Sequence, residues 1–198
     1  MNNESNNDEK KKVIMDQLAQ NAKYDANWID IAADLLANYQ EEFKFSQEEL
    51  SKFSDSQLTV IKEALDKFGD DIEYLDLLTN FKLNITQMQI IHTAKTNNVS
   101  NEWIEIIADP KLPYNKANYI CQGMIDGYNM ADIIDIFEYD VNQIFEILAG
   151  IETGVDYKIY LDSDIPAEKM GIIRHCLQLG LPIEIEKSEN ESIELYIA

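Results

Sequence analysis

The sequence is poor in the residues that cross-link or interrupt a polypeptide chain. Its 198 residues include two cysteines, four prolines and seven glycines. Two cysteines cannot supply the several disulfide bonds on which small secreted domains depend. Cys121 and Cys176 form no Cys-x-x-Cys motif, and each lies in an apolar helical pattern. We therefore expect two small, buried thiols that stay reduced.

Long apolar runs are absent as well. A helix needs about 20 apolar residues to cross a membrane, and the sequence holds no such run. The first twelve residues are polar or charged after Met1 and lack the apolar core of a signal peptide. With an apolar fraction of 45%, which is typical of a globular protein, this pattern predicts a cytoplasmic protein without a membrane partner.

Positive charge is scarce, and this scarcity bears on the partners to be expected. Lys and Arg total 16 against 37 Asp and Glu, Arg174 is the only arginine, and the net charge is −21. Such a charge repels phosphate backbones and anionic lipids, so we expect no direct binding of nucleic acid. It attracts a basic protein surface, including a groove in which another protein holds DNA or RNA. The plainer alternative is that the acidity only keeps the protein soluble.

Residue patterns that support catalysis or metal binding are missing. The two histidines, His92 and His175, fall on different helices, and neither belongs to a His-Glu-x-x-His motif or another ligand spacing. The sequence has no glycine-rich phosphate loop and no nucleophile elbow. We therefore expect a protein that is not an enzyme, without catalytic residues, cofactor or metal site.

A repeat of 26 to 30 residues runs through the helical pattern. Each unit has an isoleucine anchor, an apolar or small residue three positions before it and a small residue three positions after it. The anchors are Ile61, Ile91, Ile120, Ile147 and Ile173. The small residues that follow are Ala64, Ala94, Gly123, Gly150 and Cys176. An apolar stripe at this spacing predicts a helix, and a small residue in it lets a neighbouring helix come close.

Residues that tolerate a left-handed backbone end these helices. Seven positions after the anchor stand Asn98, Gly127, Gly154 and Gly180, while the first unit has Gly69 one position later. They predict helix C-caps. A shorter second element follows each cap. The first three have helical spacing (Ile72 to Leu78, Trp103 to Ala108, Met130 to Phe137), whereas Tyr157 to Leu161 alternates and predicts a strand.

The predicted architecture is mainly α, a solenoid-like helical-repeat array of about five to six units with a small β-hairpin or sheet at the C-terminus. The predicted segments are a disordered tail (1–10), a degenerate N-terminal capping unit (11–52), helical repeats (53–181) and a β-hairpin cap (182–198). Trp28 to Asp34 echoes Trp103 to Asp109, which places it in the second element of the capping unit. The hairpin turn is predicted at Ser188 to Glu191, and the strand at Tyr157 to Leu161 can join the sheet.

These repeats resemble units of uncharacterised Firmicutes proteins, many of them carried on mobile elements. Such units read approximately Gln-Met-x-x-Ile-Arg, then Gly-Leu-Asp, then Tyr-Ala-Asp-Pro. The matching stretches here are Gln87-Met88 with Ile91-His92, Gly154-Val155-Asp156 with Tyr160-Leu161-Asp162, Met170 through Ile173-Arg174 to Gly180-Leu181, and Ala108-Asp109-Pro110-Lys111. The resemblance covers about residues 53 to 182. It implies helical repeats but no defined activity and no catalytic residue.

Tyrosines beside carboxylates are the candidates for a partner-binding face, because this combination is common at protein interfaces. We expect exposure for the tyrosines near repeat junctions and assign binding to Tyr114, Tyr128, Tyr139, Asp132, Asp135 and Glu138. The first functional hypothesis is a binding module whose acidic surface docks on a basic protein. One version is a nucleic-acid mimic, an anti-CRISPR-like inhibitor of a host defence nuclease. The alternatives are a neutral scaffold that binds through an apolar-aromatic face and an enzyme of unfamiliar type.

Overall fold

The chain is mainly helical, as the sequence predicts. The computed structural model describes residues 2–39, 43, 45–80, 82–187 and 193–197. Within these ranges lie eleven α-helices, one 3-10 helix and two β-strands. The chain divides into two compact units, unit 1 (Met1–Lys111) and unit 2 (Leu112–Ala198).

The elements of each unit follow in chain order. Unit 1 contains α1 (Asn2–Leu18), α2 (Ala26–Asn38), α3 (Gln47–Leu50), α4 (Asp55–Phe68), α5 (Ile72–Leu78), α6 (Ile85–Thr96) and α7 (Asn101–Ile107). Unit 2 contains α8 (Tyr114–Ile125), α9 (Met130–Ile133), α10 (Val141–Thr153), a 3-10 helix (Tyr157–Tyr160), α11 (Ala167–Gln178), β1 (Ile183–Lys187) and β2 (Ile193–Ile197). The longer helices α4, α6, α8, α10 and α11 carry the isoleucine anchors.

The anchors form the centre of the core. All five anchor isoleucines are 0% exposed, and the residues three positions before them are at most 1% exposed. The predicted apolar stripe is therefore the buried face of each helix. Within unit 1, α2 packs on α4 and α4 on α6, and within unit 2, α8 packs on α10 and α10 on α11.

Glycine and asparagine end four of these helices in the way that the sequence predicts. The φ angles are 61° at Asn98, 88° at Gly127, 71° at Gly154 and 67° at Gly180. The following N–H bonds back to the carbonyl of the small residue, as when Tyr128 N donates to Gly123 O over 2.9 Å. This is the Schellman arrangement, which satisfies carbonyls that the helix end would leave unpaired. Unit 1 departs from the pattern at Gly69, whose φ of −55° is right-handed.

At Gly123 and Gly150 the small residue after the anchor makes room for side chains rather than for a helix backbone. A Cβ at Gly123 would lie 2.6 Å from Met130 Sδ, and a Cβ at Gly150 would overlap the Tyr160 hydroxyl. Met130 and Tyr160 are both 0% exposed and belong to the second elements of their own units. Each glycine thus matches a large buried side chain that holds the second element against the first.

We call the longer helix that opens a repeat its first helix. The side chain at the third position of a first helix can reach the backbone just ahead of the first helix of the next repeat. Gln57 Nε2 donates to Leu83 O over 2.9 Å, and Gln143 Nε2 donates to Ile165 O over 2.8 Å. Each acceptor directly precedes the N-cap residue of the next anchor-bearing helix. The same glutamines accept from the N-cap backbone of their own helices and complete capping boxes. One residue type therefore starts a helix and fixes its register on the next.

Helix α2 occupies a different position within its repeat from the one that the sequence predicts. Trp28 stands at the third position of α2, where Asp25 caps its N–H, and its Nε1 donates to Phe53 O over 3.0 Å. Because Phe53 directly precedes the N-cap of α4, Trp28 performs the role of Gln57. The structure thus makes α2 a first helix, whereas the echo of Trp103 assigned it to a second element. The echo misled because both helices bury a tryptophan near their start.

Residues 2–10, which the sequence predicts to be disordered, form the beginning of α1. Lys10 Nζ donates to Ala37 O over 3.1 Å, and Lys11 Nζ lies 2.9 Å from Asp30 Oδ1 and 3.3 Å from Asp34 Oδ1. Composition alone indicated disorder because the segment is polar. The lysines instead find acceptors on α2, which a reading of local composition does not reveal.

The strand predicted at Tyr157 to Leu161 is wrong, since Tyr157–Tyr160 is a 3-10 helix. The alternation of apolar and polar residues was misleading, because Ile159 is 43% exposed whereas Tyr160 is buried. The Tyr160 hydroxyl donates to Glu146 O over 3.1 Å, and burial raises the pKa of Tyr160 to about 12. In the C-terminal sheet β1 pairs antiparallel with β2. The predicted turn, Ser188 to Glu191, lies outside the described residues.

Gly150→Ala is expected to destabilise the protein by about 1–3 kcal/mol, because the added methyl group overlaps the Tyr160 hydroxyl. Elsewhere in a helix the same substitution stabilises by roughly 0.5–1 kcal/mol, so the sign is diagnostic. Urea unfolding measures it. Tyr160→Phe removes the overlapping oxygen, and Gly150→Ala should cost less in that background. Equal costs in both backgrounds would contradict the proposed fit.

Candidate partner-binding surface

Unit 2 contains a long segment without a cationic residue. Between Lys116 and Lys158 the chain has eight carboxylates and no Lys, Arg or His. Unit 2 as a whole has 16 Asp and Glu against five Lys and Arg, a net charge of −11 over 87 residues. The sequence therefore does concentrate its negative charge, although a count over the whole chain conceals it. The candidate binding residues all lie in or beside this segment.

A short loop inside this segment presents acidic and aromatic side chains together. We call residues 129–140 the acidic loop; it contains α9 and runs to the N-cap of α10. Its buried residues are Met130, Ile134, Ile136 and Tyr139. Its exposed residues include Asp132, Asp135, Phe137 and Glu138. Because buried and exposed residues alternate around Ile134 and Ile136, the loop holds its carboxylates toward solvent from an apolar base.

Phe137 is the feature of the acidic loop that the sequence did not single out. It is 75% exposed, although burying a phenylalanine contributes about 1.5–3 kcal/mol. Its position is fixed locally, since Asp135 Oδ1 accepts from Phe137 N over 2.9 Å and Asp135 O accepts from Glu138 N over 3.1 Å. Asn129 Nδ2 donates to Asp132 Oδ2 over 2.7 Å. An exposed ring on an ordered turn is an arrangement suited to insertion into a partner's pocket.

The prediction that Tyr139 is exposed is wrong, since Tyr139 is 8% exposed. Its carbonyl accepts from Lys116 Nζ over 2.6 Å, and burial, with Asp162 and Glu138 nearby, raises the pKa of its hydroxyl. The sequence contained a signal for this. Eight positions before each anchor stands an apolar residue that the structure buries: Phe53, Leu83, Leu112, Tyr139 and Ile165.

The other two tyrosines differ in exposure. Tyr114 is 55% exposed at the first position of α8, which confirms the expectation for that residue. Tyr128 is half-buried and follows the left-handed Gly127, with its N–H bonded to Gly123 O. The structure thus places Asp132, Asp135 and Glu138 together on the acidic loop. Tyr139 lies beneath them as part of the core.

A second aromatic feature lies on the outward side of α8 and α10. The rings of Tyr119 and Phe145 have centroids 5.6 Å apart at a tilt of 56°. Phe145 is 44% exposed, and Tyr119 is half-buried. Sequence analysis assigned neither residue to a site. Both stand next to the anchor stripe, at one and two positions before the isoleucines, where unit 1 has no aromatic residue.

The titratable residues that sequence analysis weighed for chemistry have structural contacts. Cys121 and Cys176 are buried and form no disulfide bond, as predicted, and burial raises the pKa of Cys121 to about 11. His92 Nδ1 lies 2.8 Å from the Tyr74 hydroxyl, and burial lowers the pKa of His92. Among the described residues, no three His, Cys, Asp or Glu side chains are grouped to hold a metal ion.

Comparison with known proteins adds no relative. No family model, curated protein or solved structure matches the chain. The resemblance to Firmicutes repeats therefore stays a prediction. Within the part of the chain that the structure describes, no helix combines the length and the apolarity that a membrane span requires.

Lys116→Met is expected to destabilise the protein by about 1–3 kcal/mol and to loosen the acidic loop, because it leaves the buried carbonyl of Tyr139 without its donor. Lys116→Gln is the matched control, since glutamine makes this bond from the same helix position in Gln57 and Gln143. Urea unfolding and amide hydrogen exchange over residues 129–140 measure the effects. Equal destabilisation by Met and Gln would contradict the assigned role of the bond.

Proposed function

We propose that the protein is a non-enzymatic binding module whose acidic loop docks on a basic surface of a protein partner. The observation that carries the proposal is Phe137, 75% exposed and flanked by the exposed carboxylates of Asp135 and Glu138. Exposed phenylalanine is costly in a monomer and useful in an interface. Its burial on binding contributes affinity, while the carboxylates select a basic partner and speed the encounter.

The charge around Phe137 supports a basic partner over a neutral one. No cationic side chain lies between positions 117 and 157, although Lys116 lies near Asp135 and Asp140, and Arg174 pairs with Glu146. A partner surface rich in Lys and Arg would supply countercharge for the other carboxylates, Asp132 and Glu138 among them. A neutral partner would have to remove water from these carboxylates without replacing their hydration, which costs free energy.

The proposal includes a repeat array as the scaffold. The recurring N-cap, third-position donor, buried anchor and left-handed end support a solenoid-like stacking of about six units, counting α2 with α3 as the first. Solenoids present loops in series along one edge and serve as binding platforms. A cytoplasmic location, in which the buried thiols of Cys121 and Cys176 stay reduced, is part of the proposal.

Nucleic-acid-binding proteins are the partners that this chemistry suits best. Their grooves combine Lys and Arg with aromatic or apolar surface, which is the complement of carboxylates around an exposed ring. Carboxylates that occupy phosphate sites would exclude the nucleic acid, so the module would act as a mimic and an inhibitor. A host defence nuclease is one partner of this kind.

A neutral scaffold is the second candidate function, and specific residues favour it. Phe145, Ile172 and Leu179 are 44%, 51% and 61% exposed in unit 2. An assembly partner that covers these side chains would bind through apolar burial, with the acidity serving solubility alone. Salt separates the two candidates, because it weakens interactions between charges and leaves apolar burial intact.

Partner capture from a lysate of the producing cells tests the proposal. A partner should be retained at about 0.1 M salt and lost at about 1 M, since the Debye length falls from about 10 Å to 3 Å. Phe137→Ala should reduce retention at low salt at least roughly tenfold, as expected when an interface aromatic is truncated. Quantitative mass spectrometry compares the variants. Ile72→Ala is the matched control, because Ile72 is 64% exposed in unit 1.

Charge is tested by replacing Asp132, Asp135 and Glu138 with their amides, which keep the oxygen acceptors of the loop. Retention should fall, whereas the amide triple at Glu63, Glu73 and Glu105, all exposed in unit 1, should retain the partner. Retention that survives 1 M salt and loss of the loop carboxylates would overturn the acidic-docking proposal in favour of the neutral scaffold.

A further inference from the structure

The outward side of α8 and α10 forms a polar surface with one aromatic pair. Tyr119 and Phe145 contact each other across the two helices. Along α8 the same side continues through Gln122 to Asp126, whose Oδ1 accepts from Gln122 Nε2 over 2.9 Å. Along α10 it continues from Phe145, by steps of four and three residues, to the exposed Glu152. We call this surface the α8–α10 face.

Negative charge collects at one end of the α8–α10 face. Asp126 caps the C-terminus of α8, and Glu152 lies in the last turn of α10. The C-terminal end of a helix carries partial negative charge of its own, which cationic side chains in the last turn usually offset. Neither helix has a basic residue in its last turn. The two helices run in the same direction, since Lys116 bonds to Tyr139 at their beginnings and Gly123 lies against Leu148 further along. Their negative C-terminal ends and the two carboxylates therefore lie at the same end of the face.

We propose that the α8–α10 face binds an arginine-bearing segment of the basic partner, with one guanidinium on the Tyr119–Phe145 pair and a second cation at Asp126 and Glu152. The inference rests on the proposed function, for which it names the recognised side chain. Guanidinium groups stack on aromatic faces, and the ring quadrupole attracts them. Arginine is preferred to lysine because its planar guanidinium group can lie flat on an aromatic ring, with its N–H groups still free to donate at the rim of the ring.

Lysines of the chain itself lie over aromatic rings, although Asp71 and Asn101 also help to hold one of them, Lys95, in place. In unit 1, Lys95 Nζ lies 5.4 Å from the Tyr74 ring centroid, and Lys67 Nζ lies 5.2 Å from that of Phe68. The segment that contains Tyr119 and Phe145 has no Lys, Arg or His, and two cations on its flanking helices are engaged elsewhere. Lys116 Nζ donates to Tyr139 O, and Arg174 Nε donates to Glu146 Oε2. The proposal therefore assigns the cation for this pair to the basic partner.

The geometry also sets the spacing of the partner's cations. Seven residues separate Tyr119 from Asp126 and Phe145 from Glu152. Seven helical residues rise about 10 Å, and a polyproline II segment covers about 9 Å in the three residues after which its side chains return to the same side. Two arginines in a polyproline II Arg-x-x-Arg stretch would therefore reach the aromatic pair and the carboxylate end together.

Calorimetric titration of the full chain with a capped Gly-Arg-Gly-Gly-Arg-Gly peptide tests the inference. The control peptide replaces both arginines with citrulline, which keeps the shape and removes the charge. Binding of the arginine peptide and loss of binding with citrulline are expected. Phe145→Leu, which keeps an apolar side chain but removes the ring, should weaken binding about two- to fivefold, the worth of an exposed cation–π contact. Ile72→Ala, in unit 1 and 64% exposed, is the control outside the face and should leave peptide binding unchanged.

A second variant keeps the test valid if Phe145→Leu perturbs folding. Asp126→Asn with Glu152→Gln preserves shape and should weaken the arginine peptide without lowering the unfolding midpoint in urea, because removing negative charge from helix C-terminal ends does not destabilise them. Equal binding of the arginine and citrulline peptides, or equal affinity in the wild type and both variants, would overturn the assignment of this face. Partner capture that still depends on Phe137 would then leave the proposed function standing. Capture that is indifferent to Phe137, with normal peptide binding, would refute the acidic-loop proposal alone.

Discussion

The hydrogen bond from the third residue of one helix to the carbonyl ahead of another positions these two helices on each other, twice within unit 1 and twice within unit 2. Trp28, Gln57, Lys116 and Gln143 all make it, with three different side chains. The accepting residues are buried, so an unpaired carbonyl there would cost about 1–3 kcal/mol. This cost explains why the donor recurs while its chemistry varies. It also ties the start of α4, α6, α10 and α11 to the first helix of the repeat before each of them.

The acidic loop depends on this bond at one end and on a glycine at the other. Lys116 holds the carbonyl of Tyr139, and Gly123 leaves the space that Met130 fills. Between these fixed points the loop buries two isoleucines and turns its carboxylates and Phe137 outward. Phe137 and Glu138 therefore contribute little to the fold, whereas the exposed Asp135 and Asp140 also accept backbone hydrogen bonds that shape the loop and start α10. The exposed side chains are available for binding because the buried ones already hold the loop in place.

Much of the fold could be predicted from the sequence, because anchors, small residues and left-handed caps are local patterns with direct steric causes. The predictions for Ile147 and Gly154 are of this kind, and burial and φ confirm them.

The candidate site could be predicted only in part. Tyr139 was predicted to be exposed because it is a tyrosine near a repeat junction, whereas its position eight residues before the anchor, which is buried in every repeat, indicates burial. Phe137 was missed because its exposure follows from the burial of Ile136 and Tyr139, which a local pattern does not show. The strand prediction at Tyr157 to Leu161 failed for a different reason. Tyr160 is buried by a contact with Gly150, which the alternation of apolar and polar residues does not reveal.

Association kinetics with the captured partner test the central claim, that the acidic loop steers a basic protein onto Phe137. Stopped-flow measurements would compare association rates between about 0.05 M and 0.5 M salt, where electrostatic steering loses strength. The account predicts an association rate that falls at least roughly tenfold over this range. It predicts further that Phe137→Ala raises the dissociation rate and leaves the association rate nearly unchanged. An association rate that is independent of salt would contradict it.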